Sequence, residues 1–99
     1  MPQKIKIPIK TNVADLSTKH VTREDARLLE ECGVPDQIGK YDYGYVVRTI
    51  GGQKPNALLI HGMSQAYVNL LQQLYRRNIH YLFLDQDGEI VDGIRHFDW

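Results

Sequence analysis

The sequence lacks most of the features that assign a protein to a special class. Its one cysteine, Cys32, cannot form a disulfide within the chain, as expected for a reducing compartment. The N-terminus has no apolar stretch typical of a signal peptide, and no apolar run approaches the roughly 20 residues that span a bilayer. We therefore expect a cytoplasmic protein without membrane contacts.

The chain also has no excess of charge of either sign, because 12 Lys and Arg residues balance 12 Asp and Glu residues. Proteins that bind nucleic acid usually carry a basic excess, since binding releases counterions from the phosphates. Nucleic acid is therefore not the expected partner. A local basic patch would still permit an accessory role on nucleic acid, and this alternative would use Lys4, Lys6, Lys10, Lys19, Arg76 and Arg77.

What the chain does contain is enough apolar sequence for one core. With 99 residues, 42% of them hydrophobic, it is predicted to form a single domain over residues 1–99. Alternation of lysine and isoleucine predicts a strand over Lys4–Ile9. A helix is predicted over Arg23–Cys32, because Thr22 and Asp25 resemble a capping box and Gly33 suits a left-handed helix end.

The sequence after Lys40 predicts two hairpins and a second helix. Aromatic and β-branched residues predict a strand over Tyr41–Ile50, and Asp87-Gly88 is a strong hairpin pattern. Ser64 is expected to cap a helix that runs to about Arg77 and ends at Asn78. The other predicted segments are a loop over Val34–Lys40, a turn over Gly51–Asn56, and strands over Ala57–His61, Ile79–Leu84 and Glu89–Asp92. The order β-α-β-β-α-β-β predicts a two-layer α+β domain, with a mostly antiparallel sheet and two helices on one face.

Carboxylates at alternate positions form the sharpest local pattern. Asp85, Asp87 and Glu89, with Asp92 nearby, could ligate Ca²⁺ or Mg²⁺ through oxygen, and a divalent-metal-dependent enzyme is the alternative function that follows. We favour a solvated hairpin turn, because the glycine is misplaced for an EF-hand loop. The four histidines lack zinc-ligand spacing, and no nucleophile or phosphate-binding motif occurs. We therefore expect no cofactor and no catalytic activity.

Aromatic side chains are the candidate binding residues. Tyr41, Tyr43 and Tyr45 have the same parity and would line one face of their predicted strand. Tyrosine is enriched among interface anchors, although the three side chains could instead complete the core. Phe97 and Trp99 are expected either to pack against the sheet or to contact a partner.

Four segments of the chain resemble a family of small uncharacterised bacterial proteins. The segments are Leu16–Thr22, Tyr41–Tyr45, Leu84–Gly93 and Phe97–Trp99, of which the C-terminal block Leu-Asp-x-Asp-Gly, Val-Asp-Gly and Asp-Trp is the most specific. The Lys4–Ile9 stretch and a longer Gly51–Met63 segment depart from the family pattern. The family has no established activity, so the resemblance implies only a context. Its members are carried on plasmids, integrative elements and prophages, whose small proteins often interfere with host defence by binding another protein.

The residues and the resemblance together lead to one functional hypothesis. We expect a non-enzymatic accessory factor of a mobile element that binds a host or element protein, as an inhibitor of host defence of the anti-restriction or anti-CRISPR type. The expected partner-binding residues are Tyr41, Tyr43, Tyr45, Phe97 and Trp99. A homodimer through an exposed edge strand is compatible with this hypothesis.

Overall fold

The computed structural model describes residues 12–49 and 55–99, and within them a four-stranded sheet packs with three α-helices. The strands are β1 (Asn12–Ser17), β2 (Gln37–Tyr41), β3 (Gly44–Arg48) and β4 (Ile79–Asp85). The helices are α1 (Arg23–Glu30), α2 (Pro55–His61) and α3 (Gln65–Arg76), and a 3-10 helix covers Thr18–His20. The predicted α+β class is confirmed.

The last strand is an inner strand of the sheet, whose order is β1-β4-β3-β2. β4 pairs in parallel with β1 and antiparallel with β3, and β3 pairs antiparallel with β2. Two of the three pairings are therefore antiparallel, as expected for a mostly antiparallel sheet. β4 is the strand that joins β1 to the β2–β3 hairpin.

One face of the sheet carries the helices, as predicted, although three helices rather than two pack there. By register, Leu16, Val47, Leu82 and Leu84 share this face, and all four are buried. Their helical partners in the same core cluster are Ala26, Leu29, Leu58, Tyr67, Val68, Leu70, Leu71 and Leu74. Side chains of the opposite parity face away from the helices, and several of them are exposed.

A single buried carboxylate caps two helices. Asp25 Oδ2 accepts a hydrogen bond from the Thr22 backbone N–H at 3.0 Å, and the Thr22 hydroxyl accepts one from the Asp25 N–H at 3.0 Å, which confirms the capping box. The same carboxylate also accepts from the Ser64 N–H at 2.8 Å and the Ser64 hydroxyl at 2.6 Å. Ser64 caps α3 in turn by accepting from the Tyr67 N–H at 3.0 Å. Both predicted helices are thus present, and Asp25 links their N-termini.

The C-terminal ends of these helices differ in how well they were predicted. Asn78 follows α3 with a φ of 63°, which confirms it as the end of that helix. After α1, Cys32 rather than Gly33 adopts the left-handed conformation, with a φ of 55°. The helix also ends at Glu30, so Cys32 lies beyond it and is exposed rather than on its apolar face.

The strand predicted over Ala57–His61 is wrong, because these residues belong to α2. Proline is favoured in the first turn of a helix, where its missing N–H has no partner to lose, and Pro55 begins α2. A short apolar run fits a buried strand or a helix equally well by pattern alone. Here the run forms a helix that contacts α3 and buries Leu58 in the core.

The hairpin predicted at Asp87-Gly88 is also wrong. After β4 the chain turns, with the Gly88 N–H donating to the Asp85 carbonyl at 3.0 Å, and it then crosses to β1. Glu89 forms a parallel bridge with Leu16, and its carbonyl accepts from the Ser17 N–H at 2.8 Å. A Cβ at Gly88 would lie 2.5 Å from the Leu16 carbonyl carbon, so this glycine permits a close backbone approach rather than a hairpin turn.

Two strands occupy segments that were predicted differently. β2 covers most of the predicted loop over Val34–Lys40, and β1 lies in a segment without a predicted element. The strand predicted over Lys4–Ile9 and most of the turn predicted over Gly51–Asn56 lie outside the described residues. Within the described ranges, no helix has the length and apolarity that a membrane span requires.

Candidate protein-binding groove

A groove of about 820 Å³ lies at the end of the sheet where β1 and β4 finish. Because these two strands are parallel neighbours, the residues that follow them meet at one edge, and Thr18, Lys19 and Gln86 line the groove. The other walls come from α1, the β2–β3 turn and the last residue, Trp99. Clefts at the carboxyl ends of strands are common ligand sites in open sheets that contain parallel strands.

The three tyrosines of the predicted site all line this groove, but they do not share one face of one strand. A two-residue turn, Asp42-Tyr43, separates β2 from β3, so the prediction of a continuous strand over Tyr41–Ile50 is wrong. Tyr41 pairs with Gly44 and lies on the sheet face away from the helices, whereas Tyr45 pairs with Lys40 and lies on the helical face. Tyr43 is at the turn and is 61% exposed. The groove therefore gathers the tyrosines around the end of a hairpin.

β3 can approach β4 closely only because its first residue, Gly44, has no side chain. A Cβ at Gly44 would lie 1.7 Å from the Leu84 carbonyl oxygen, so any other residue here would force the backbone to move. The Gln86 N–H donates to the Tyr43 carbonyl at 2.9 Å and extends the pairing past the end of β4. The position of Tyr43 at the groove is thus fixed by the backbone on both sides of it.

Tyr45 forms part of a small polar cluster on the wall of the groove. Its hydroxyl donates to Glu30 Oε2 at 2.9 Å, and Lys40 Nζ donates to Glu30 Oε1 at 3.1 Å. Burial first, and then the hydrogen bond to Glu30, raises the pKa of Tyr45 to about 12. The hydrogen bond from Tyr45, together with the one from Lys40, lowers the pKa of Glu30. These bonds tie β2 and β3 to α1.

Trp99 is held in the groove by contacts between the C-terminal tail and the 3-10 helix. Its indole N–H donates to the Val21 carbonyl at 2.9 Å, and the Phe97 N–H donates to the Lys19 carbonyl at 2.8 Å. The Trp99 side chain thus packs against the domain by its polar edge while its ring contributes to the groove wall. Phe97 is not among the described residues that line the groove, and its ring packs under the Arg95 guanidinium at 4.8 Å.

A buried histidine fixes the rest of this tail. His20 is 1% exposed, and its Nε2 accepts from the Val91 N–H at 3.0 Å. The other ring nitrogen, Nδ1, is 2.8 Å from the Arg95 carbonyl. Because Nε2 is an acceptor, Nδ1 must carry the proton and donate to this carbonyl. His20 is therefore a structural residue that positions the tail.

Sequence reasoning missed Arg23 and assigned Lys19 only to the nucleic-acid alternative, not to the tyrosine site. Lys19 and Arg23 are exposed at its rim, and neither forms an ion pair with a carboxylate of the described residues. Arg27 also lines the groove but is paired with Glu24 and with Glu31. The position of Arg23 in the sequence could have identified it. Arg23 is the first residue of α1, where the helix dipole disfavours positive charge, so a basic residue there indicates a role other than helix stability.

The residues of the metal alternative, and those of the nucleic-acid alternative that the structure describes, are not brought together as a site. Within residues 12–49 and 55–99, no three His, Cys, Asp or Glu side chains converge as metal ligands. Asp85 instead accepts from the Asp87 N–H at 2.9 Å, which is a local turn. Of the basic residues proposed for nucleic acid, Lys19 lines the groove. Arg76 and Arg77 lie at the end of α3 near the start of β4, about 20 Å along that strand from the groove, at roughly 3.3 Å per residue. Lys4, Lys6 and Lys10 lie outside the described residues.

Comparison with known proteins adds a family assignment. A family model matches residues 13–99, and its description is "Family of unknown function (DUF5983) C-terminal domain". The matched range includes every described residue that lines the groove. Neither a curated protein nor a solved structure matches the chain.

Proposed function

The chain belongs to the DUF5983 family, whose function is unknown, and we propose that it is a non-enzymatic module that binds a protein partner in its groove. The observation that carries the proposal is the grouping of Tyr41, Tyr43, Tyr45 and Trp99 around one cavity of about 820 Å³. Tyrosine and tryptophan are the residues most enriched among energetic anchors of protein interfaces. We call this site the tyrosine groove.

The charges of the tyrosine groove favour an acidic segment as the bound part of the partner. Lys19 and Arg23 have no ion pair with the described residues, so they are available to carboxylates of a partner. Asp42 and Glu30 lie in the same lining and would repel a continuous run of phosphates. A peptide can alternate its charges to suit this pattern, whereas a nucleic acid strand cannot.

The composition of the lining agrees with binding rather than catalysis. No described residue that lines the groove is a histidine, cysteine or serine. Its best-placed carboxylate, Glu30, is engaged by Lys40 and Tyr45. The contacts thus stabilise the walls of the groove and leave aromatic and cationic surface for a partner.

The proposal also includes a biological setting, which is a mobile genetic element. The segments Leu16–Thr22 and Leu84–Gly93 resemble proteins of plasmids, integrative elements and prophages, and both segments lie beside the tyrosine groove. In such a setting the bound partner is a component of host defence, of the restriction or CRISPR type, which the module inhibits by occupying its acidic segment. The proposal places this activity in the cytoplasm.

The binding proposal is tested with three tagged variants used to capture proteins from nuclease-treated host lysate. Tyr43→Ala and Arg23→Glu should lose the partner that the wild type captures, whereas Tyr75→Ala should retain it. Tyr75 is a suitable control because it is also an exposed tyrosine but lies on α3, outside the groove lining. With the purified partner, a hot-spot loss of about 2 kcal/mol in Tyr43→Ala would weaken Kd about 30-fold.

The chain supplies its own reporter for this titration. Trp99 is the single tryptophan and lines the groove, so binding should change its fluorescence emission. The proposal is refuted if Tyr43→Ala and Arg23→Glu capture the same proteins in the same amounts as the wild type. Binding that appears only without nuclease would instead assign the groove to nucleic acid.

The defence proposal has a separate test in cells. Expression of the wild type should raise the transformation efficiency of unmodified plasmid DNA in a restricting or CRISPR-competent host. Tyr43→Ala should remove this effect and Tyr75→Ala should preserve it. An unchanged efficiency in hosts of both types would reject the inhibitor role while leaving the binding result intact.

A further inference from the structure

The sheet face away from the helices is a second open surface. We call it the open face, and by register its members are Val13, Asp15, Tyr41, Val46, Arg48, Tyr81, Phe83 and Asp85. Val13 is 53% exposed, Phe83 38% and Tyr41 37%. Tyr41 and Phe83 also contact each other, with ring centroids 6.3 Å apart. The open face therefore carries exposed aromatic and aliphatic side chains that no described element covers.

The charges of the open face are separated along the strands. Arg48 pairs with Tyr81 in the register, and its guanidinium lies 5.8 Å from the centre of the Tyr81 ring. Asp85 lies at the other end of β4, about 13 Å away at roughly 3.3 Å per residue. Tyr41 lies at this acidic end, because it pairs with Gly44, which pairs with Asp85. Burial and the charges of Asp85 and Asp15 raise the pKa of Tyr41. The open face thus has a cationic end and an acidic end, and between them Phe83 and Val46 share a register row with Asp15 of the edge strand β1.

From this arrangement we infer that the open face binds the open face of a second copy of the chain. Two sheets stack face to face about 10 Å apart, within reach of long side chains from both. A twofold axis that reverses the strand direction would place Arg48 of each copy against Asp85 of the other. An axis parallel to the strands would bring the Arg48 residues together and the Asp85 residues together, so these two positions favour the first arrangement, which also places the Asp15 residues of the two edge strands opposite each other.

This dimer shares Tyr41 with the tyrosine groove but does not involve Tyr43 or Arg23, and its test uses the mass of the full chain in solution. One chain has a mass of 11.4 kDa, and sedimentation equilibrium should give twice that value as the concentration increases. Phe83→Lys should return the mass to that of one chain by burying a charge at the centre of the interface. Ile60→Lys is the matched control, because Ile60 is 86% exposed but lies on α2, and it should leave the dimer intact.

A mixing experiment tests the orientation of the two copies. Arg48→Glu alone and Asp85→Arg alone should each be monomeric, because each would place like charges together at both ends of the interface. An equimolar mixture of the two variants should restore the doubled mass, since each pair then joins opposite charges. Circular dichroism of each variant checks that the sheet is retained.

Three results would overturn the inference. The first is a wild type that remains a monomer up to about 500 µM, well above the Kd range expected for a specific dimer. The second is a dimer that survives Phe83→Lys, and the third is a mixture that stays monomeric although both variants are folded. Tyr43→Ala should not change the mass, so failure of the groove proposal and failure of this one are distinguishable.

Discussion

Replacing Asp25 by alanine should strongly destabilise the domain, because this residue links the N-termini of α1 and α3. Its carboxylate is fully buried and accepts hydrogen bonds from the Thr22 N–H, the Ser64 N–H and the Ser64 hydroxyl. The exchange leaves these donors in the interior without an acceptor, and each such loss costs about 1–3 kcal/mol. We expect the free energy of unfolding to fall by about 3 kcal/mol or more.

Thermal and urea unfolding followed by circular dichroism measure this loss. For a domain of this size, about 3 kcal/mol corresponds to a decrease of roughly 12–24 °C in Tm. Glu24→Ala is the control, because Glu24 is in the same first turn of α1 but is exposed and paired with Arg27, so its midpoint should change little. If Asp25→Ala is too unstable to purify, Ser64→Ala should show a smaller decrease of the same sign. An Asp25→Ala midpoint equal to that of the wild type would refute the shared-cap argument.

Two further predictions concern tyrosine hydroxyls. Tyr67→Phe should raise the free energy of unfolding by about 1 kcal/mol, because the buried Tyr67 hydroxyl has no hydrogen-bond partner among the described residues; a lower urea midpoint for this variant would contradict it. The pKa of Tyr45 is raised to about 12 in the folded chain, above the ordinary value near 10, so the folded chain favours the protonated hydroxyl. The contribution of this hydroxyl to stability is therefore fully present below pH 10 and is lost as the pH rises from 10 to 12. Urea midpoints across this range should therefore decrease less in Tyr45→Phe than in the wild type, and parallel decreases would argue against a special role for this hydroxyl.

The elements that the sequence predicted well are those with their own local signals. α1 and α3 each combine an apolar stripe with a cap, and their caps at Thr22 and Ser64 are as predicted. β4 was also predicted, because Ile79–Leu84 combines apolar residues with the aromatic residues that strands favour and directly follows the helix end at Asn78. In each case the information lies within a few residues of the element.

The elements that were predicted wrongly depend on contacts outside the element itself. Whether Ala57–His61 is a strand or a helix is decided by packing against α3, which a short apolar run does not specify. Gly88 lies in a pattern typical of hairpins, but its role is to approach Leu16, more than 70 residues earlier in the chain. β1 has little alternation of its own and is defined by its pairing with β4.

The candidate site shows the same division. Tyrosine and tryptophan were recognised from their residue types, and the groove does gather Tyr41, Tyr43, Tyr45 and Trp99. Lys19 and Arg23 were not grouped with them, because only the parallel pairing of β1 with β4 brings the start of α1 to the hairpin turn. The types of residue that form a site can be predicted from the local sequence, but which residues come together in the site depends on the topology of the fold.

The inner position of β4 has a consequence for the biosynthesis of the domain. A nascent chain that has reached residue 78 holds β1 and the β2–β3 hairpin as separate pieces, because the strand that pairs with both has yet to be made. The tyrosine groove is completed later still, when Trp99 bonds to Val21, 78 positions earlier. Contacts so distant in sequence slow folding and delay it until most of the chain is available. The tyrosine groove is therefore formed in a late step of folding, and Trp99 fluorescence reports that step.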